Sequence, residues 1–96
     1  MPQNEIIDLS SSGKRLFYIR RLLKLTRAEF SQKCGLNENT ISFWETDRNG
    51  GITLPNAEKI VKAIAPHIEC SADWLLIGGG EIPTHSSLTF IELPKN

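Results

Sequence analysis

Apolar residues recur along the chain at the spacing of α-helices. Leu16, Ile19 and Leu23 stand at i, i+3 and i+7, and cationic residues occupy positions between them. Similar runs, bounded by capping residues, glycine or proline, predict helices at about 12–23, 27–33, 38–46, 55–64 and 72–77. The sequence therefore predicts an all-α fold with five helices.

The first predicted helix carries more apolar residues than one core face needs. Phe17, Tyr18 and Leu22 widen its apolar stripe beyond the i, i+3, i+7 positions. These three side chains either extend the core or contact a second subunit, and the pattern alone leaves both interpretations open.

Short polar residues stand where each predicted helix begins. Thr26 and Glu29 have the spacing of a capping box, in which each side chain accepts a hydrogen bond from the backbone N–H of the other residue. Asn37 can accept from a free N–H in the first turn of the third helix. The predicted caps of the remaining helices are Ser11 or Ser12, Thr53 and Ser71. Local chemistry therefore predicts where all five helices start.

The second and third predicted helices are joined by a short turn that contains Gly35. Glycine adopts positive φ without steric cost, so the chain can reverse sharply there. Two short helices joined in this way form a helix-turn-helix, whose second helix can enter the DNA major groove. A helix over 38–46 is roughly 13 Å long at about 1.5 Å per residue, and the major groove is about 12 Å wide. The motif therefore predicts a DNA-reading helix at about 38–46.

The formal net charge of the 96-residue chain is zero, from 11 cationic and 11 anionic residues. A neutral domain is unusual for a protein that neutralises phosphates. The distribution is uneven, because residues 12–48 carry eight cations and four anions, whereas residues 1–11 and 49–96 each have an excess of two anions. The positive excess surrounds the predicted DNA-reading helix and favours DNA as the partner. A solvated basic face without a partner would give the same pattern.

Length and composition limit the other classes of function. Ninety-six residues with 40% hydrophobic content form one domain with a small core. No apolar run approaches the roughly 18 residues of a membrane span, and no export signal is present, so a cytoplasmic, nucleoid-associated protein is expected. Cys34 and Cys70 lack metal-ligand spacing, and His67 and His85 are isolated. The sequence predicts two buried, reduced thiols, no metal, no cofactor and no enzymatic activity.

Four stretches of the chain occur in the order and spacing typical of one family. They are residues 25–30, 35–36, 39–45 and 71–78, which read Leu-Thr-Arg-Ala-Glu-Phe, Gly-Leu, Asn-Thr-Ile-Ser-Phe-Trp-Glu and Ser-Ala-Asp-Trp-Leu-Leu-Ile-Gly. With these stretches the chain resembles the phage-repressor helix-turn-helix family, the Cro/C1-type or XRE-like proteins, over about residues 14–82. The resemblance implies a compact five-helix domain that binds operator DNA, usually as a dimer.

The resemblance also implies roles for individual residues. Arg20 and Glu45 match a salt bridge that links the first helix to the end of the recognition helix. The residues at positions that face bases or the adjoining backbone are Arg27, Glu38, Asn39 and Phe43. The expected phosphate contacts are Asn37, Thr40, Ser42, Arg48 and Asn49. Arg27 stands where a glutamine commonly begins the second helix in the family, and its guanidinium can bridge to a phosphate directly.

The side chains of the third predicted helix divide into two faces. Ile41 and Trp44, at i and i+3, are predicted to pack into the core. On the free side, the amide of Asn39 can pair with adenine N6 and N7, and the carboxylate of Glu38 can accept from cytosine N4. Phe43 stands where the family more often has a polar or basic residue. It either packs on a thymine methyl or serves another role.

The predicted domain organisation is an arm over 1–11, the DNA-binding domain over 12–82 and a C-terminal tail over 83–96. Leu88 and Phe90 suggest a short strand in the tail, and a lone strand is not stable by itself. The tail is therefore either disordered or paired with a partner protein or a symmetry mate.

Two functions remain open from the sequence. The first is a sequence-specific transcriptional regulator, a phage-type repressor that binds a palindromic operator in double-stranded DNA as a homodimer. The second is an antitoxin or adaptor that uses the same fold for protein–protein contacts, which the neutral charge, Glu38 and Phe43 favour. A fragment of a longer regulator is a third possibility, because the tail resembles the start of a strand.

Overall fold

The computed structural model describes residues 8–48 and 51–84 of the chain. These residues form five α-helices and no strand, which confirms the all-α prediction. The helices are Ser12–Leu22 (α1), Arg27–Cys34 (α2), Glu38–Glu45 (α3), Leu54–Ile64 (α4) and Ala72–Leu76 (α5). Each end lies within one residue of its predicted bound, because local capping residues, glycines and prolines mark these ends.

The predicted capping interactions begin four of the five helices. Thr26 Oγ1 accepts from the N–H of Glu29 at 3.1 Å, and Glu29 Oε1 accepts from the N–H of Thr26 at 2.9 Å. Asn37 Oδ1 accepts from the N–H of Asn39 at 2.7 Å at the start of α3. The other two caps are Ser11 for α1 and Ser71 for α5. Interactions within three residues therefore determine these helix starts.

Thr53 does not cap α4, contrary to the prediction from sequence. It precedes the helix in an extended conformation, but its hydroxyl accepts from Asn56 Nδ2 at 3.0 Å and from no backbone N–H of the helix. Pro55 lies in the first turn and has no N–H to donate. The proline therefore removes one of the groups that a capping side chain would satisfy.

The core lies between all five helices. α1 packs against α3 and α5, α2 packs against α3 and α4, and α4 packs against α5. Ile41 and Trp44 of α3 are 0% and 5% exposed, as predicted. The large side chains that are completely buried are Phe30, Leu16, Ile19, Ile41, Ile60, Ile64, Ile68 and Leu75. Burying one such side chain contributes about 1.5–3 kcal/mol, so the cluster stabilises helices that are each too short to persist alone.

The wide apolar stripe of α1 serves two environments. Tyr18 and Leu22 pack partly buried against the core. Phe17 is 38% exposed, and the guanidinium carbons of Arg20 and Arg21 lie 5.2 and 5.5 Å from the centre of its ring. The core therefore accounts for Tyr18 and Leu22 but not for Phe17.

Arg15 is buried, although it is one of the eight cations of residues 12–48 whose excess was expected to surround α3. Its Nε donates to Leu75 O at 3.1 Å, its Nη2 to Leu76 O at 2.9 Å and its Nη1 to Leu9 O at 2.8 Å. Leu75 and Leu76 end α5, where carbonyls lack partners within the helix. Arg15 therefore fastens α1 to the C-terminal end of α5 and is not part of the basic face.

The two cysteines are free thiols in different environments. Cys34 is 4% exposed at the end of α2, as predicted, whereas Cys70 before α5 is only partly buried, which corrects the prediction for that residue. Burial raises the pKa of each thiol to about 11. Both thiols therefore stay protonated at neutral pH.

The predicted C-terminal tail begins with a buried residue. Pro83 is buried, and its carbonyl accepts from the Tyr18 hydroxyl at 2.9 Å. The Tyr18 ring in turn lies 6.1 Å from the ring of Trp74 in a tilted arrangement. Contacts with the helices therefore extend past residue 82, while the strand suggested by Leu88 and Phe90 lies outside the described residues.

Candidate nucleic-acid interface

The turn between α2 and α3 has the left-handed conformation that its glycine permits. Gly35 has φ +69° and ψ +35°. Its N–H donates to Gln32 O at 3.4 Å, and the N–H of Leu36 donates to Ser31 O at 2.9 Å, so carbonyls at the end of α2 are satisfied. α3 begins three residues after Gly35, which completes the predicted helix-turn-helix.

The outer face of α3 carries three of the residues expected to face bases. Glu38 and Asn39 are exposed in its first turn, and Phe43 is 39% exposed one turn later. Ile41 and Trp44 lie on the opposite, buried face. The helix therefore presents an amide, a carboxylate and an aromatic ring to solvent along one side.

The expected phosphate contacts differ in exposure. Asn37 is exposed, but its side-chain oxygen caps α3, which leaves its NH2 group as a donor. Thr40 and Ser42 are half-buried. Asn49 lies outside the described residues.

Arg48 is exposed and lies beside Phe43. Its guanidinium carbon is 5.9 Å from the centre of the Phe43 ring, and its backbone N–H donates to Phe43 O at 2.8 Å. The two residues therefore form one unit at the end of α3. This unit can place an apolar ring against a base and a cation against a neighbouring phosphate.

Arg20 and Glu45 form the predicted salt bridge between α1 and the last residue of α3. Arg20 Nε donates to Glu45 Oε2 at 2.7 Å, and Arg20 Nη2 donates to Glu45 Oε1 at 2.9 Å. The two side chains are 13% and 1% exposed. Arg20 Nη1 also donates to Leu25 O at 2.9 Å, so all three guanidinium nitrogens are bonded. Such an enclosed pair constrains the orientation of α3 more than it adds net stability.

Arg27, which the resemblance places opposite bases, also contacts Glu45. Its Nε donates to Glu45 Oε1 at 3.0 Å, and its side chain is 38% exposed. Glu45 therefore accepts from one arginine of α1 and from the first residue of α2. A single carboxylate joins α1, α2 and α3.

The C-terminal end of α3 lies against the start of α1. A Cβ added to Gly13 would overlap Trp44 O and lie 2.5 Å from Asp47 Oδ1, so the approach requires glycine. Asp47 Oδ2 accepts from Ser11 Oγ at 3.0 Å and from Lys14 Nζ at 3.4 Å. α1 therefore supports the recognition helix at a second point, separate from the Arg20 contact.

The sequence signals these supporting contacts weakly. A glycine in the first turn of a predicted helix is unfavourable there, and this hints at a close approach to another backbone. The contact of Arg27 with Glu45 has no comparable signal in the sequence. The two residues are 18 positions apart, and only the turn between α2 and α3 brings them together.

The exposed α3 face, its glycine turn and its anchored C-terminal end define the helix-turn-helix class. A model of the helix-turn-helix family matches residues 16–65, just over half of the chain. The chain therefore belongs to this family, in the XRE type that includes the Cro/C1-like proteins, and is a DNA-binding transcription regulator. No significant match is found among curated proteins or among solved structures.

Two further observations concern the described residues. Within 8–48 and 51–84, no helix combines the length and the apolar character that crossing a bilayer requires. In the same part of the chain, no three His, Cys, Asp or Glu side chains come together as a candidate metal site. The family consists of DNA-binding regulatory domains and is not typically enzymatic.

Proposed function

We propose that the chain is a sequence-specific transcriptional repressor of the phage or mobile-element type, which binds a palindromic operator as a homodimer. The observation that carries the proposal is the exposed outer face of α3, anchored at its C-terminal end by the Arg20–Glu45 pair. In a helix-turn-helix, the N-terminal residues of the second helix contact base edges in the major groove. A two-fold dimer places two such helices about one DNA turn apart, roughly 34 Å.

Asn39 is the proposed base reader. It is exposed in the first turn of α3, and its amide can pair with adenine N6 and N7 at once. Glu38 beside it accepts from cytosine N4, and its charge is unfavourable near phosphates unless that bond forms. Phe43 packs on a thymine methyl. The proposed phosphate contacts are Asn37, Thr40, Ser42, Arg48 and Asn49.

The test is selection of bound duplexes from a random-sequence library at two salt concentrations, followed by sequencing. A two-fold symmetric enriched motif is expected, because a homodimer presents two identical α3 helices. An unenriched pool with weak retention at both salts would contradict the proposal. Sedimentation of the protein with the enriched duplex then establishes whether two chains bind.

Replacing Asn39 by alanine tests the proposed reader directly. Asn39→Ala is expected to weaken operator binding by about 1–3 kcal/mol and to relax preference at one base pair per half-site. Gln32→Ala, which removes an exposed amide from α2, is the control and is expected to leave the preference unchanged. If the Asn39 variant and the parent rank operator variants alike, Asn39 is not the reader.

Exposed apolar side chains favour a second candidate function, an antitoxin or adaptor that docks on another protein. In the described part of the chain, the exposed large apolar residues are Phe17, Phe43, Leu54, Ile77 and Ile82. A net charge of zero is also compatible with a protein partner. A dimer that contacts about six phosphates loses affinity with a log–log salt slope near −5, whereas docking through Phe43 is nearly insensitive to salt.

A further inference from the structure

The carboxylate of Glu45 accepts from two guanidinium groups with different surroundings. Arg20 is 13% exposed, and all three of its nitrogens are bonded within the domain. Arg27 is 38% exposed, and among the described residues Glu45 is the hydrogen-bond partner of its side chain, through Nε alone. Within residues 8–48 and 51–84, the Nη1 and Nη2 groups of Arg27 therefore remain as donors that an outside partner can engage.

Arg27 occupies an unfavourable position for a cation. It is the first residue of α2, where free N–H groups make the helix end partly positive. Together with Arg20 and Glu45 it forms a cluster of two cations and one anion. The helix end therefore disfavours this cation, and Glu45 compensates it through the Nε group alone.

We propose that Glu45 is a positioning residue that holds Arg27 so that its Nη1 and Nη2 groups bind a DNA phosphate. This inference rests on the proposed function. In a helix-turn-helix the first helix crosses the DNA backbone, while the N-terminal residues of the second helix read bases. Arg27 belongs to the first of these helices and lies beside the last residue of α3, at the end opposite its base-reading turn. It therefore contacts backbone and not base edges.

A double-mutant cycle of Arg27→Ala and Glu45→Gln tests this assignment. Binding is measured on the selected operator and on a mixed-sequence duplex of the same length, over a range of salt. Arg27→Ala is expected to weaken binding to both duplexes roughly tenfold, as loss of a charged hydrogen bond does, and to reduce the salt slope by about 1. Glu45→Gln is expected to weaken binding in the parent but to have little effect once Arg27 is alanine.

Asp47→Asn is the matched control for charge. It removes an anion from the same end of α3, but Asp47 contacts Ser11 and Lys14 and neither of the arginines that bind Glu45. Asp47→Asn is therefore expected to change affinity by the same factor in the parent and in Arg27→Ala. If the effect of Glu45→Gln is equally independent of Arg27, the proposal is overturned, because the loss is then structural. Affinity that Glu45→Gln leaves unchanged or raises in the parent also overturns it.

A second measurement needs no change at Glu45 and no DNA. In 15N spectra of the parent protein, the Nε–H groups of Arg27 and Arg20 are expected to exchange slowly with water because both are bonded to Glu45. The Nε–H of the exposed Arg21 is expected to exchange fast. Exchange of Arg27 as fast as that of Arg21 overturns the proposal. If the parent binds neither duplex, the proposed function fails, and this measurement still decides whether Glu45 holds Arg27. If Arg27→Ala changes preference at one base pair with the salt slope intact, Arg27 reads a base and the proposal is wrong.

Discussion

Arg15 and Arg20 stand five residues apart on α1 and fasten it to different helices. At the α5 junction, Arg15 donates to three backbone carbonyls, two of them at the end of α5. At the α3 junction, Arg20 meets the carboxylate of Glu45 at the end of α3. Arg27 donates to the same carboxylate. In the described residues, no second cationic side chain donates to the carbonyls that Arg15 binds.

The comparison shows that different numbers of polar side chains link α1 to α5 and to α3. Loss of Arg15 would remove the donor from the buried carbonyl of Leu75, where water cannot easily replace the bond, and from the partly buried carbonyls of Leu9 and Leu76. Loss of Arg20 would leave Glu45 with Arg27 still bonded to it. The hydrogen bonds at the α5 junction therefore depend on one side chain, whereas the polar contacts at the α3 junction, which carries the recognition helix, depend on several.

Replacing Arg15 by methionine should have the largest effect on stability. Arg15→Met keeps much of the side-chain volume but removes three hydrogen bonds to carbonyls, and it is expected to lower the free energy of unfolding by about 3–5 kcal/mol. Urea denaturation measures the change. Arg21→Met, at an exposed position of the same helix, is the control and should change stability little. A similar loss from both variants would mean that the three carbonyl bonds do not stabilise the domain.

Replacing Gly13 by alanine should disrupt the α3 junction by steric overlap. The added Cβ would meet the backbone oxygen of Trp44, which cannot move without shifting α3, and a loss of about 2–3 kcal/mol is expected. Thermal unfolding measures the loss, with Ser12→Ala one residue earlier as the control. An unchanged melting temperature would show that α3 moves away from α1 at low cost.

Replacing Arg20 by methionine should cost less than the change at Arg15. Breaking a buried pair usually leaves an unpaired charge, but Arg27 remains on Glu45, so a loss of about 1–2 kcal/mol is expected. Adding Arg27→Met should destabilise by more than the sum of the two single changes, because Glu45 then has neither arginine. Additive losses in urea denaturation would contradict the shared role of this carboxylate.

The two thiols should cause a decline of stability in alkali. Burial raises the pKa of Cys34 and Cys70 from 9.0 to about 11, so the folded state retains protons that the unfolded state releases. Their contribution is complete below pH 9 and is expected to be lost as the pH rises from about 9 through about 11. Urea midpoints at pH 8 and pH 10.5 are compared between the parent, Cys34→Ala and Cys70→Ala. The comparison separates the contribution of the thiol at the end of α2 from that of the thiol before α5. An equal alkaline decline in parent and variants would assign it to other groups.

Much of the fold was predictable because its signals are local. Thr26 and Glu29 meet within three residues, and the phase of α3 alone buries Ile41 and exposes Asn39. Thr53 shows the limit of such rules, because its hydroxyl has a nearby side-chain competitor in Asn56. Local patterns therefore predicted where helices begin better than they predicted which side chain caps them.

The candidate site was predictable only in part. The exposure of Glu38, Asn39 and Phe43 follows from helical phase once α3 is placed, and the Arg20–Glu45 pair followed from the family resemblance. Neither source indicated that Arg27 would share Glu45, since this contact depends on how closely α2 approaches the end of α3.

By itself the sequence determined five helix spans, the glycine turn and the two faces of α3, because each depends on contacts within about one helical turn. Only the packing of the helices decided which acceptors the arginines of α1 bind and which of these arginines is buried. Arg15 meets carbonyls 60 and 61 positions away, and Arg20 meets a carboxylate 25 positions away. Charge pattern cannot distinguish a buried guanidinium from an exposed one, because the difference lies in which acceptors the tertiary structure brings within about 3 Å.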